Sequence, residues 1–243
     1  MSKGTITLFD IPTKAPRKCW SLNPWKTRLL FNYKGLDYKV EWLEYPDIQP
    51  RLEPHLPPHP EQRIYTIPTI MLPDGTYVMD SRKIADVIEQ RYPEKPVHLD
   101  SPYLARLEPI MAKLVPALWP VFIPHEPTRV LGERSLPFWY ETREKYLGMT
   151  MDEYQRGNPP EPAWEKAEPY IREVTAMLKE NPDGPFFMGH TVSYADFVWV
   201  GFLLFMKAIG EDEFHGVLER SGDGEVHKAI LEATRPWWER DGD

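Results

Sequence analysis

An α/β domain followed by an all-helical domain is the fold class this sequence predicts, and three observations predict it. Strand-like alternation is confined to the first third of the chain. A helix-like apolar period separates the first two strand segments, which makes a β-α-β unit. Beyond about residue 93 only helical patterns recur. The 243 residues suffice for two small domains, which we place at residues 1–93 and 100–243.

The elements follow in order. Thr5-Ile-Thr-Leu-Phe9 alternates and is rich in β-branched residues, as a strand is. Asn23-Pro24 reads as a helix start, with Asn as N-cap and Pro as first helical residue. Trp25, Leu29, Leu30 and Tyr33 keep helical spacing until Gly35 stops them. Tyr38-Lys-Val-Glu-Trp42 alternates again. Residues 46–63 carry Pro46, Pro50, Pro54, Pro57, Pro58 and Pro60, which predict an irregular loop. Residues 69–79 predict a hairpin around Pro73-Asp-Gly75, and Asp80-Ser81 then opens a helix with Ile84, Ala85 and Ile88 on one face. The order β-α-β-loop-β-β-α is a thioredoxin-like layout. Helices are then expected over 101–119, 137–156, 162–180, 193–209 and 225–238, with loops from 120 to 137.

Composition narrows the function classes. The net charge of −8 argues against binding a phosphate backbone, which needs clustered cations. Cys19 is the only cysteine, so no intrachain disulfide forms, as expected of a reducing compartment. The first residues lack the apolar run of a signal peptide, and the longest apolar stretch, Phe197 to Met206, is too short to span a bilayer. A cytoplasmic protein without membrane or nucleic-acid partners is expected. His55 and His59 are four apart, but Leu-Pro-Pro between them prevents a shared helical face, so no metal site is expected.

Four features bear on chemistry, and each admits a plain reading. Pro68 after Ile67 is either an edge proline or a cis-proline that turns the Ile67 backbone toward a ligand, where an extended peptide pairs with it. Asp80-Ser81 is either a simple N-cap or a carboxylate site at a helix N-terminus, with the acid beside it for an ammonium. Ser21 is either a loop serine or a hydroxyl placed to hydrogen-bond an anion at the first helix start. Ser193-Tyr-Ala-Asp196 is a capping box that nucleates the very apolar helix after it.

Ser21 with Arg28 seven residues on, Ile67-Pro68, Asp80-Ser81 and the Ser193–Asp196 box stand in the order and spacing of soluble glutathione transferases, which the chain resembles over nearly its whole length. The string Trp20-Ser-Leu-Asn-Pro-Trp-Lys-Thr-Arg28, with Tyr45-Pro-Asp-Ile48 and Tyr65-Thr-Ile-Pro68, is most similar to the fungal etherase-like FuA class, related to bacterial lignin β-etherases. Leu22 follows Ser21 where that class is expected to carry proline. The resemblance implies glutathione as co-substrate and a homodimer. It implies Ser21 as thiol activator, Asn23 as a second thiol contact, Ile67 and Pro68 at the cysteinyl backbone, and Ser81 with Asp80 at the γ-glutamyl end. Arg63 or Gln62 is the implied partner of the glycyl carboxylate. Trp20, Tyr45, Trp119, Phe122 and Trp139 are the aromatics expected against a hydrophobic aromatic electrophile. Two rivals stand beside this reading: a cysteine-type reductase working through Cys19, and a non-catalytic protein that binds glutathione or phenolics.

Overall fold

The computed structural model describes residues 4–60 and 64–242. Its sheet has four strands in the order β2-β1-β3-β4, with β1 at Ile6–Asp10, β2 at Tyr38–Trp42, β3 at Thr69–Met71 and β4 at Tyr77–Met79. β1 and β2 are parallel, joined through the crossover helix α1 (Leu22–Lys34), and the other pairs are antiparallel. Every residue of β1 is buried, because both faces of the sheet are covered. Ile6 and Leu8 point into the main core with Leu29, Leu30 and Ile84, whereas Phe9 points the other way, onto Leu43, Ile48 and Leu52.

That second face belongs to a helix absent from the sequence expectation. α2 (Tyr45–Leu52) occupies the first part of the stretch read as an irregular loop. Pro46 sits in its first turn, where a missing N–H costs nothing, and Pro50 forfeits one internal bond. Burial of Ile48 and Leu52, four apart, against Phe9 offsets that loss. α3 (Ser81–Arg91) closes the α/β part.

The rest is helical: α4 (Pro102–Ala117), α5 (Trp119–Phe122), α6 (Glu126–Arg129), α7 (Leu136–Leu147), α8 (Met151–Gly157), α9 (Pro160–Leu178), α10 (Tyr194–Ile209), α11 (Glu211–Arg220), α12 (Gly224–Ala233) and α13 (Arg235–Trp238). Short 3-10 turns at Ile123–His125 and Glu133–Ser135 join α5 to α7, so the expected loops of 120–137 are mostly single helical turns. The helix expected over 137–156 breaks in two. Gly148, at φ 70°, ends α7, and Thr150 with Glu153 forms a capping box that restarts the chain as α8. The helix expected over 225–238 likewise breaks at Thr234 into α12 and α13. α11 was not expected at all; it begins directly after Gly210 with three acids in its first turn.

α10 is the core of the helical part, with residues on all its faces buried. Its capping box is formed as expected. Asp196 is fully buried and accepts from Phe187 N–H at 2.9 Å, from Ser193 N–H at 2.7 Å and from the Ser193 hydroxyl at 2.9 Å. The cap fixes Tyr194, whose N–H donates to the Val97 carbonyl at 2.6 Å and whose hydroxyl donates to the Ser81 carbonyl at 3.0 Å. Lower on α10, a Cβ on Gly201 would stand 3.2 Å from the Leu22 carbonyl oxygen, so glycine lets α10 lie this close to the start of α1 without pushing that carbonyl aside.

Asp196→Ala strips two buried backbone N–H groups of their acceptor and is expected to lower the unfolding free energy by about 3 kcal/mol. Urea denaturation of the two proteins measures the difference.

Candidate functional site

The starts of α1 and α3 meet at one cavity, and the start of α1 also reaches a second that shares Leu22 and Val115 with it as a common wall. The smaller, of about 390 Å³, is lined by Asn23, Lys26, Ser81, Arg82, Glu108 and Tyr194, among others. The larger, of about 550 Å³, has Trp20, Ser21, Tyr45, Trp119 and Phe122 in its wall, with Glu126, Arg143, Tyr146 and Phe205. The first carries charged and hydroxyl-bearing side chains among aliphatic ones, and the second is walled largely by aromatic rings.

Ser21 is the N-cap of α1, at φ −78° and ψ 141°, and its hydroxyl makes no capping bond. The helix therefore starts two residues earlier than Asn23-Pro24 predicts. Pro24 lies inside the first turn and has no N–H, and Trp25 N–H is taken by the Ser21 carbonyl at 3.2 Å. The first-turn donors left beside the Ser21 hydroxyl are the N–H groups of Leu22 and Asn23. The Asn23 side chain turns away from Ser21: it is exposed and accepts from Lys26 Nζ at 2.8 Å, in the smaller cavity.

On the α3 side, Asp80 is the N-cap at φ 88°, its Oδ1 accepting from the N–H groups of Arg82 and Lys83. Ser81 lines the smaller cavity. The Ile67–Pro68 bond is cis, and Asp80 N–H donates to the Pro68 carbonyl at 3.3 Å, which ties that bond to the start of α3. Ile67, Pro68 and Asp80 line neither cavity. Arg63 and Gln62 lie outside the described residues.

Trp20, Tyr45, Trp119 and Phe122 come together as expected, but Trp139 does not join them. It is 1% exposed and stands behind Glu126, donating from Nε1 to Oε2 at 2.8 Å. Phe138, its exposed neighbour, stacks on Tyr45 at 6.2 Å, and Tyr146 meets Trp119 edge-on at 5.6 Å. Burial drives the Tyr45 phenol well above its ordinary range, and Glu126 adds to the rise.

Sequence reasoning missed Lys26, Glu108, Tyr194, Glu126 and Arg143. Lys26 carried a signal, since a cation near a helix N-terminus opposes the helix dipole. Burial lowers its ammonium to about 8, against the pull of Asp80 and Glu108. Glu126 carried only its place as an acid between prolines in an apolar stretch.

Residues 20–91 match the family model of the glutathione S-transferase N-terminal domain, and residues 107–237 that of the C-terminal domain. A glutathione S-transferase-like protein, ustS, of Aspergillus flavus is 28% identical over 99% of this chain and 94% of its own length. A glutathione S-transferase of Ceriporiopsis subvermispora, solved in complex with glutathione, superposes with a TM-score of 0.81 at 30% identity, covering 96% of this chain and 98% of the other. Glutathione transferase GSTFuA3 of Phanerochaete chrysosporium does so with a TM-score of 0.81 at 25% identity, covering 97% and 98%. No single helix among the described residues is long and apolar enough to cross a membrane.

Cys19, two residues before Ser21, lines neither cavity. It is 4% exposed beside the buried pair of Asp10 and Arg28, which meet at 2.7 Å. Burial, with Asp10 next to it, pushes the thiol well above its ordinary range. An aromatic disulfide reagent at about pH 7.5 is therefore expected to leave Cys19 intact in the folded protein and to label it at least about 100-fold faster after unfolding. Fast labelling of the native protein would show the thiol to be accessible.

Proposed function

The chain belongs to the glutathione S-transferase family, and from that premise we propose that it ionises the glutathione thiol beside Ser21 and adds it to hydrophobic aromatic electrophiles, lignin-type aryl ethers and phenolics among them. One observation carries the reading: an N-cap hydroxyl committed to no cap stands in the wall of an aromatic cavity, one residue from the cavity that holds Ser81 and the charged groups of Lys26, Arg82 and Glu108. In this proposal residues 1–93 hold glutathione and residues 100–243 supply most of the electrophile site. Glutathione of the C. subvermispora relative supports the co-substrate. The likeness to GSTFuA3 supports the electrophile class. A homodimer and a cytosolic setting belong to the same reading.

The assignment of groups follows the chemistry of a zwitterionic peptide. The γ-glutamyl carboxylate goes to the Ser81 hydroxyl and the Ser81 N–H, the first-turn donor of α3 that Asp80 leaves free, where the dipole favours an anion. Asp80 Oδ1 is occupied by the helix, leaving Oδ2 for the ammonium. Ile67 offers its backbone to the cysteinyl residue, and Arg63 or Gln62 remains the proposed partner of the glycyl carboxylate. Asn23, bound to Lys26, is placed at the glutathione backbone rather than at the sulfur.

The energies suffice without a general base. A thiol of pKa about 8.5 is only about 3% ionised at neutral pH. Lowering it by about two units needs about 2.7 kcal/mol. A hydrogen bond to a charged acceptor contributes about 1.5–3 kcal/mol, and a helix N-terminus about 0.3–1 kcal/mol. The Ser21 hydroxyl and the Leu22 and Asn23 N–H groups therefore match the requirement. The burial of Cys19 and its protonated thiol weigh against the cysteine-type rival.

Ser21→Ala is expected to bind glutathione within a few-fold of wild type by calorimetry. Its conjugation of 1-chloro-2,4-dinitrobenzene at about pH 6.5 should fall about 10–100-fold, with the pH–rate midpoint rising toward about 8.5 as the thiol loses its donor. Cys19→Ser should retain activity. The reverse pattern would transfer the chemistry to Cys19, and glutathione binding by wild type without turnover would leave a binding protein.

A further inference from the structure

Among the described residues, the aromatic cavity has a single carboxyl in its wall. Glu126 opens α6 at 6% exposure, and its Oε2 is occupied by Trp139 Nε1–H. Oε1 has no hydrogen-bond partner among the described residues, yet it is not one of the polar atoms sealed from solvent, so what access it keeps is to the cavity. An unmet carboxyl oxygen on a largely apolar wall is costly, and a ligand oxygen that meets it recovers the cost.

We propose that Glu126 donates a hydrogen bond to an oxygen atom of the aromatic electrophile, so that this cavity prefers aromatic molecules bearing a neutral oxygen, a carbonyl or an ether, over hydrocarbons of the same shape. The proposal rests on the reading of this cavity as the electrophile site. Burial lifts the Glu126 carboxyl to about 7, against the opposing effects of Arg143 and the Trp139 hydrogen bond. Because Trp139 makes Oε2 an acceptor, the carboxyl proton belongs on Oε1, the oxygen free to donate. The groups that face Glu126 are Arg143 from α7 and Tyr45 from α2, both in the same wall. His125 and Arg129, on its own segment, turn instead to Glu213, at 3.4 and 2.6 Å.

The sign follows directly. The donor is present below the carboxyl's pKa and is lost as pH rises through about 7. Where the electrophile's leaving group is an oxygen, the thiolate sulfur bonds to carbon and the carbon–oxygen bond breaks with its electron pair on oxygen. Glu126 then gives that oxygen its proton. The carboxylate left behind recovers the proton that the glutathione thiol shed on ionising, so the transfer closes without another reactant.

Benzophenone and diphenylmethane probe the effect, since a non-titrating carbonyl in the first replaces a methylene in the second and the pH dependence of the difference belongs to the protein. At about pH 5.5 wild type is expected to bind benzophenone about fivefold more tightly, the worth of one hydrogen bond, and at about pH 8.5 to bind both alike. Glu126→Gln keeps an acceptor for Trp139 and an amide donor at every pH, so its preference for benzophenone should be the same at both pH values. No preference in wild type at the lower pH, or a pH-dependent preference surviving in Glu126→Gln, overturns the proposal. Glutathione affinity, measured on both proteins, reports that the variant is folded. Turnover of 1-chloro-2,4-dinitrobenzene by wild type tests the underlying transferase reading separately.

Discussion

The buried carboxylate of Asp196 is the interaction on which the rest of the structure depends. Burial alone would neutralise it, and lifts its pKa to about 6, but hydrogen bonds from Phe187 N–H, Ser193 N–H and the Ser193 hydroxyl hold it largely ionised at neutral pH. With its N-terminal donors satisfied, α10 can be apolar on every side and still start inside the protein. The cap holds Tyr194 against Val97 and the Ser81 carbonyl, and Gly201 lets α10 rest on the Leu22 carbonyl. One helix in the helical part thereby positions the starts of both α1 and α3, which meet at the smaller cavity.

The same region shows how burial sorts two chemically similar side chains. Cys19 and Ser21 are two residues apart, but Cys19 is enclosed with Asp10 and Arg28, whereas the Ser21 hydroxyl remains uncommitted at a cavity wall. The enclosure is completed from the far end of the chain. Asp241 and Gly242 accept from Cys19 N–H and from the Arg28 guanidinium, each at 2.8 Å, and Arg240 lies 4.1 Å over the Tyr38 ring. The more nucleophilic atom is thus the one kept from reacting, because a thiol in a sealed, acid-flanked site resists ionisation.

Legibility along the chain followed how local the stabilising interaction was. The strands, the crossover helix and the α10 cap were readable because alternation, helical spacing and a Ser-x-x-Asp pattern lie within a few residues. α2 was not, because its prolines oppose a helix and only Phe9, far away in sequence, makes burial of Ile48 and Leu52 worthwhile. α11 was missed although Phe214, Val217 and Leu218 keep helical spacing; it follows α10 across Gly210 alone, at extended φ, with no loop between them. The break before α8 carried a readable signal in Gly148, Thr150 and Glu153.

The sequence by itself determined the fold class, the order of the strands about the crossover helix, and the family, because periodicity, caps and turn residues are properties of neighbouring positions. It also singled out Ser21, Ser81 and most of the aromatic wall. Only the tertiary structure decided that Trp139 supports the cavity from behind, that Asn23 turns to Lys26, and that Cys19 is enclosed. It alone placed Glu126 beside Tyr45 and Arg143 in one wall. These outcomes depend on which distant segments exclude water from a side chain, and residues as far apart as Tyr45 and Arg143 carry no mark of that in their own neighbourhoods.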